Sequence, residues 1–154
     1  MSDTRFTFQG SGTIASPKST TTSTKTVFEI TAPANQAVRI ESFKISFDGT
    51  SSSGPQPLVE VLTDCTTGQG SGTSLTLYKN DPEQALTLQS SAKEDFSSEG
   101  SPGGQPAPGK SYVHPQGRDW VLPMPMRLRH GKALRVRVTV GTAVNYTFTG
   151  TGTE

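Results

Sequence analysis

Long apolar runs, paired cysteines and an excess of one charge are all missing from this chain of 154 residues. No stretch approaches the ~20 apolar residues that a membrane-spanning helix needs. The single cysteine, Cys65, excludes an internal disulfide and a cysteine-built zinc site. Fourteen basic residues stand against 13 acidic ones, a net charge of +1, so the chain as a whole lacks the basic excess of a nucleic-acid binder. The opening "MSDTRFTFQGSG" has no basic-then-apolar layout of a signal peptide. These features lead us to expect a soluble protein, made in a cytoplasm and not exported by the usual route, with no membrane partner.

Hydrophobic residues make up only 31%, and the balance is rich in Ser, Thr, Gly (16) and Pro (11). That mixture favours short strands joined by many turns. No segment holds a 3.6-residue period over three turns, and no internal repeat is visible. "KTVFEITA" (25–32) and "AVRIESFKISFDG" (37–49), separated by "PANQ", read as a hairpin. In the second of these, Val38 and Ile40 are apolar at even positions, whereas Phe43, Ile45 and Phe47 take over at odd ones. A strand cannot change its buried face without an irregularity, so a bulge is expected near Glu41–Ser42.

Further short strands are expected at 58–62, 74–78 and 85–89, with the longest irregular piece at 94–110. "ALRVRVTV" (133–140) alternates most cleanly: Leu134, Val136, Val138 and Val140 inward, Arg135, Arg137 and Thr139 outward. "VNYTFTGT" (144–151) should return beside it as a second hairpin. The whole reads as an all-β fold, an antiparallel β-sandwich of jelly-roll type. Residues 25–154 are expected to form its domain. Residues 1–24 are poor in apolar groups and are expected to be an extended N-terminal arm.

The residue types that carry chemistry are present but isolated. His114 in "YVHPQG" and His130 in "RLRHGK" show no metal-ligand spacing, and no nucleophile–base set accompanies them. Cys65 follows Asp64, the wrong neighbour for an activated thiol. "GQGSG" (68–72) lacks the Lys-Ser/Thr and the helix of a phosphate loop. Glu94, Asp95 and Glu99 lack the spaced calcium pattern and read as a solvated acidic patch. "NYT" (145–147) fits a glycosylation acceptor but lies within an expected strand. No enzymatic activity, catalytic residue, bound metal or cofactor is expected. The basic run Arg127, Arg129, Lys132, Arg135 and Arg137 reads first as a solvated face and second as a contact for an acidic protein surface, which suits arginine's fork geometry. Nucleic acid ranks last, because no aromatics are interleaved for base stacking.

"FDGTSSSGPQPLVEVLTDCTTGQGSGTS", followed by "YVHPQGRDWVLPMPM" and "GKALRVRVTVGTAVNYTFTGTGTE", resembles a group of small tailed-phage virion proteins that decorate or cement the capsid. The resemblance covers roughly residues 24–152. It implies a jelly-roll subunit, a homotrimer, seated on the outer surface of the head and bound to the major capsid protein. It also implies a protein made in the host bacterial cytoplasm, and it supplies no catalytic residue. On that reading Phe6 and Phe8 of the arm, with Arg127 and Arg129, are the expected capsid contacts. Trp120, Met124 and Met126 of the proline-bearing "WVLPMPM" are the expected contacts between subunits. A carbohydrate- or receptor-binding sandwich is the alternative, with Trp120, Tyr112 and Tyr78 as its aromatics.

Overall fold

The computed structural model describes residues 4–14, 23–48, 56–113 and 119–154. Among these the only regular elements are strands. In chain order they are β1 (Arg5–Ile14), β2 (Ser23–Thr31), β3 (Val38–Asp48), β4 (Leu58–Cys65), β5 (Ser71–Leu75), β6 (Tyr78–Lys79) and β7 (Ser91–Ser98). Then follow β8 (Gln105–Pro106), β9 (Ser111–Tyr112), β10 (Trp120–Val121), β11 (Met126–Leu128), β12 (Ala133–Val140) and β13 (Val144–Thr153).

Two antiparallel sheets pack face to face. One runs β10-β3-β13-β1-β6, with β11 beside β10 on the same edge of β3. The other runs β5-β7-β2-β12-β4-β8, with β9 also on β4. With β5, β6 and β7 set aside, and β8/β9 and β10/β11 each counted as one broken strand, the chain has eight strands. Their order is first–eighth–third–sixth in one sheet and second–seventh–fourth–fifth in the other. That winding is a jelly roll.

Both expected hairpins are absent, because β2 and β3 lie in opposite sheets, as do β12 and β13. Alternating apolar residues fit a neighbour within a sheet and a neighbour across the sandwich equally well. The bulge in β3 is where the change of face places it: Thr151 pairs with Ser42 and Gly152 with Ile40, leaving Glu41 unpaired. Residues 94–110 are not wholly irregular, for β7 extends to Ser98, while 85–90 form no strand.

The arm reading does not hold for Arg5–Ile14. These ten residues pair along their whole length with β13 as an integral strand of the first sheet. Phe6 and Phe8 are buried in the core, and the Phe8 ring stacks on Phe28 of the facing sheet at 4.5 Å and 6°. Phe43 and Phe148 complete the cluster at 5.4 Å from Phe28. Two phenylalanines, two residues apart, are enough to place a polar strand, because each buries a large apolar area. Glycines in β13 make the room. A Cβ on Gly150 would lie 2.3 Å from the Phe8 ring, and one on Gly152 2.5 Å from the Phe6 ring. The alternating Thr and Gly of "TFTGTGT" thus present hydroxyls outward and let aromatic rings lie flat on the backbone inward.

Candidate interaction surface

One end of the sandwich carries the turn between β11 and β12. In β11, Met126 and Leu128 point into the core while Arg127 points out. Arg129 and His130 are exposed beyond it. Gly131, at φ 64, closes the turn, and its N–H donates to the Pro33 carbonyl at 3.0 Å. Arg127, Arg129, His130 and Lys132 surround a hollow of about 480 Å³ floored by Ala37. A second hollow of about 750 Å³ shares Ala37, Arg127 and His130 and runs on to Leu86 and Glu154.

Among the described residues, the side-chain carboxylates of Asp64 and Glu154 belong to this end, and each is already engaged. Asp64 sits at a bulge in β4, at φ 56. Its two oxygens accept the Arg129 fork, Nε to Oδ1 and Nη2 to Oδ2, each at 2.9 Å. The bulge aims the side chain, and the bidentate guanidinium holds the Asp64 carboxyl below its ordinary range. The Glu154 side chain accepts from the Gln36 amide and the Gln89 and Ser90 backbone N–H groups. Arg127 has no ion pair among the described residues, and Lys132 acts on Asp64 only through its field. The end is therefore cationic, with Arg127 and Lys132 available to an outside anion.

The rest of the basic run, Arg135 and Arg137, is engaged within the protein. Arg135 is fully buried, against expectation. Its neighbour across the pair is Glu29, and the two form a buried ion pair. The guanidinium also donates to the carbonyls of Glu99 (2.8 Å) and Gln69 and lies 4.9 Å over the Phe96 ring. Gln69 and Glu99 belong to two loops that fold over the outer face of the second sheet. Strand alternation correctly points Arg135 away from the core, but what covers that face is decided by loops distant in sequence. Arg137 lies 3.7 Å from Glu60 and 3.8 Å from Glu99.

The acidic residues of β7 and of the loop after it are not a solvated patch either. Glu94 accepts from the Ser11 N–H at 3.2 Å. Asp95, at φ 50, accepts from Lys25 at 2.5 Å and from the Tyr146 hydroxyl at 3.1 Å. Glu99 accepts from the Thr26 N–H at 2.6 Å and from its hydroxyl at 2.5 Å. Burial pushes the Glu94 carboxyl upward and, with Asp95 beside it, the Tyr146 hydroxyl upward. These carboxylates tie β7 and the following loop to β1, β2 and β13. Glu94 and Lys25 also cap backbone groups of β1 that β6 is too short to reach, which blunts an open sheet edge.

Of the expected contact residues, Arg127, Arg129 and Met124 are exposed. Phe6 and Phe8 are core, as described above. Trp120 and Met126 are also buried. The Trp120 ring packs on Phe43 at 6.2 Å and its N–H donates to the Gly109 carbonyl at 2.8 Å. "WVLPMPM" lies along the edge of the first sheet, where prolines are tolerated, and fills that edge from within. Trp120 is therefore unavailable to a sugar as well, while Tyr78 and Tyr112 are exposed on strands of opposite sheets.

Cys65 is buried, and burial pushes its thiol upward, which disfavours the reactive thiolate. Among the described residues no three His, Cys, Asp or Glu side chains gather in a way that could hold a metal ion. No helix among them is long and apolar enough to cross a membrane. His114 and the rest of "HPQG" lie outside the described residues.

No family model matches this chain, and no curated protein matches it. Among solved structures it is similar to a decameric BFDV capsid protein, at 12% identity and a TM-score of 0.38, over 99% of this chain and 96% of that one. It is also similar to structures of infectious bursal disease virus, Gt and Gx strains. These show 10% and 12% identity, TM-scores of 0.27, and 39% and 42% of those chains covered.

Proposed function

We propose that this chain is a non-enzymatic structural protein of a tailed-phage virion, binding the outside of the head and stabilising the capsid lattice. The observation that carries the contact is the cationic end of the sandwich, where Arg127 and Lys132 stand beside the Arg129–Asp64 pair without carboxylates of their own. Its partner is an acidic surface of the major capsid protein. The resemblance of the strand and loop pattern to decoration proteins supports the assignment, and the jelly-roll winding agrees with it. A homotrimer remains part of this reading, now with Met124 as the exposed apolar contact in place of Trp120 and Met126.

The test is co-sedimentation with heads that lack the protein. Arg127→Glu with Lys132→Glu should abolish binding while the melting temperature holds. Raising salt should weaken the wild-type contact, since exposed charges are screened within about 8 Å at physiological ionic strength. Undiminished binding by the double variant refutes this contact surface. Failure of the wild-type protein to bind heads at all refutes the function.

A further inference from the structure

We propose that the outer face of the first sheet holds a binding site for a neutral carbohydrate, in a hollow beside Tyr78. The site is separate from the cationic end and does not depend on the capsid reading. Strand register assembles it. Tyr78 of β6 pairs with Thr7, Thr7 with Thr151, and Thr151 with Ser42, so these four side chains form one row across four strands. Gln9 and Thr149 form the adjoining row, which continues on β3 to Lys44, outside the hollow and 3.4 Å from Asp119. Neighbouring rungs lie about 4.8 Å apart across strands and about 6.8 Å apart along them. The hollow over these residues measures about 360 Å³, the size of a small-ligand site.

The chemistry of the lining selects the ligand. Its side chains include no charge, so nothing in it recognises an ion. Thr7, Thr149, Thr151, Ser42 and Gln9 each donate and accept hydrogen bonds. A ligand matching them must do both at several points on one face, as a polyol does. Tyr78 is 58% exposed and offers an apolar ring to the C–H face that a pyranose also carries. The site is preorganised. Its threonines are stiff at χ1, they sit on the long paired strands β1 and β13, and the Thr151 and Ser42 hydroxyls already share a hydrogen bond of 2.8 Å. Little side-chain freedom is lost on binding, which lowers the ordering cost of taking up a ligand.

The experiment is a ¹H–¹⁵N NMR titration of the full chain with lactose, maltose and N-acetylglucosamine, each to concentrations on the order of 10 mM. At least one should shift the amides of Thr7, Gln9, Ser42, Tyr78, Thr149 and Thr151 together. Tyr78→Ala should weaken that binding at least tenfold, and Thr149→Glu should abolish it. Both side chains point to solvent, so the variants keep the wild-type spectrum elsewhere. Absence of shifts with all three saccharides, shifts centred elsewhere, or unchanged binding by Tyr78→Ala overturns the proposal. Capsid binding by Tyr78→Ala should remain normal, which separates this site from the cationic end.

Discussion

Arg135 and Glu29 stand directly opposite each other on β12 and β2, and their ion pair is sealed from water by two loops. A buried charge that loses its partner is far more costly than the pair is valuable. Arg135→Met should therefore destabilise the protein by about 3–5 kcal/mol in urea unfolding. The double variant Arg135→Met with Glu29→Leu should recover part of that. The remaining deficit reports the carbonyls of Gln69 and Glu99, left without a donor. A double variant no more stable than the single one would show that the orphaned carboxylate is not the main cost.

Trp120→Ala should cost about 3–5 kcal/mol, as a core aromatic does, because its ring fills the sheet edge against Phe43. The loss should appear in thermal melting at every protein concentration. A loss seen only where subunits dissociate would return Trp120 to a subunit interface.

Gly150→Ala places a methyl group against the Phe8 ring and the Ser42 carbonyl. Overpacking of this kind costs about 1–3 kcal/mol. A companion Phe8→Leu should relieve the clash, so the two changes should be less than additive in chemical denaturation.

The Glu94 carboxyl is raised in the folded state by burial. A carboxylate with a raised folded value withdraws stability as pH climbs through its unfolded value toward its folded one. Glu94→Gln should match wild type below about pH 4, where both states hold the proton, and should gain on it toward neutral pH. Melting curves from pH 3 to 7 decide this. A variant less stable at pH 7 would mean that the charged oxygen's bond to the Ser11 N–H outweighs its desolvation.

Asp64 moves the other way. Its folded value is lowered by Arg129, so its contribution is present above its unfolded value near pH 4 and is lost as acid protonates the folded carboxyl. Asp64→Asn should flatten the acid limb of the stability profile slightly, since the pair is exposed. It should also free Arg129, and so tighten rather than weaken binding at the cationic end. Weaker head binding by Asp64→Asn would show that the fork's orientation, not its charge, is what the partner reads.

Short-range pattern determined a good deal of this molecule. The period-2 alternation in 133–140 and 144–151 fixed strands and faces. The change of phase between Ile40 and Phe43 fixed the bulge at Glu41, because a strand's side chains can change sides only where a residue is skipped. Prolines at 123 and 125 excluded an interior strand, because they lack the N–H that such a strand must donate, but left a sheet edge and a subunit contact equally open.

Tertiary structure alone decided what each face meets. Alternation is blind to whether the next strand lies beside or across, so two apparent hairpins became links between sheets. "RFTF" carried too little apolar surface to announce a core strand, yet glycines some 140 residues away in β13 shaped a seat for both rings. Arg135 was placed on the outer face by its own strand and buried by loops at 69 and 99. Tyr78, Thr7, Thr151 and Ser42 became one row only through the register of four strands, which no local stretch of sequence contains.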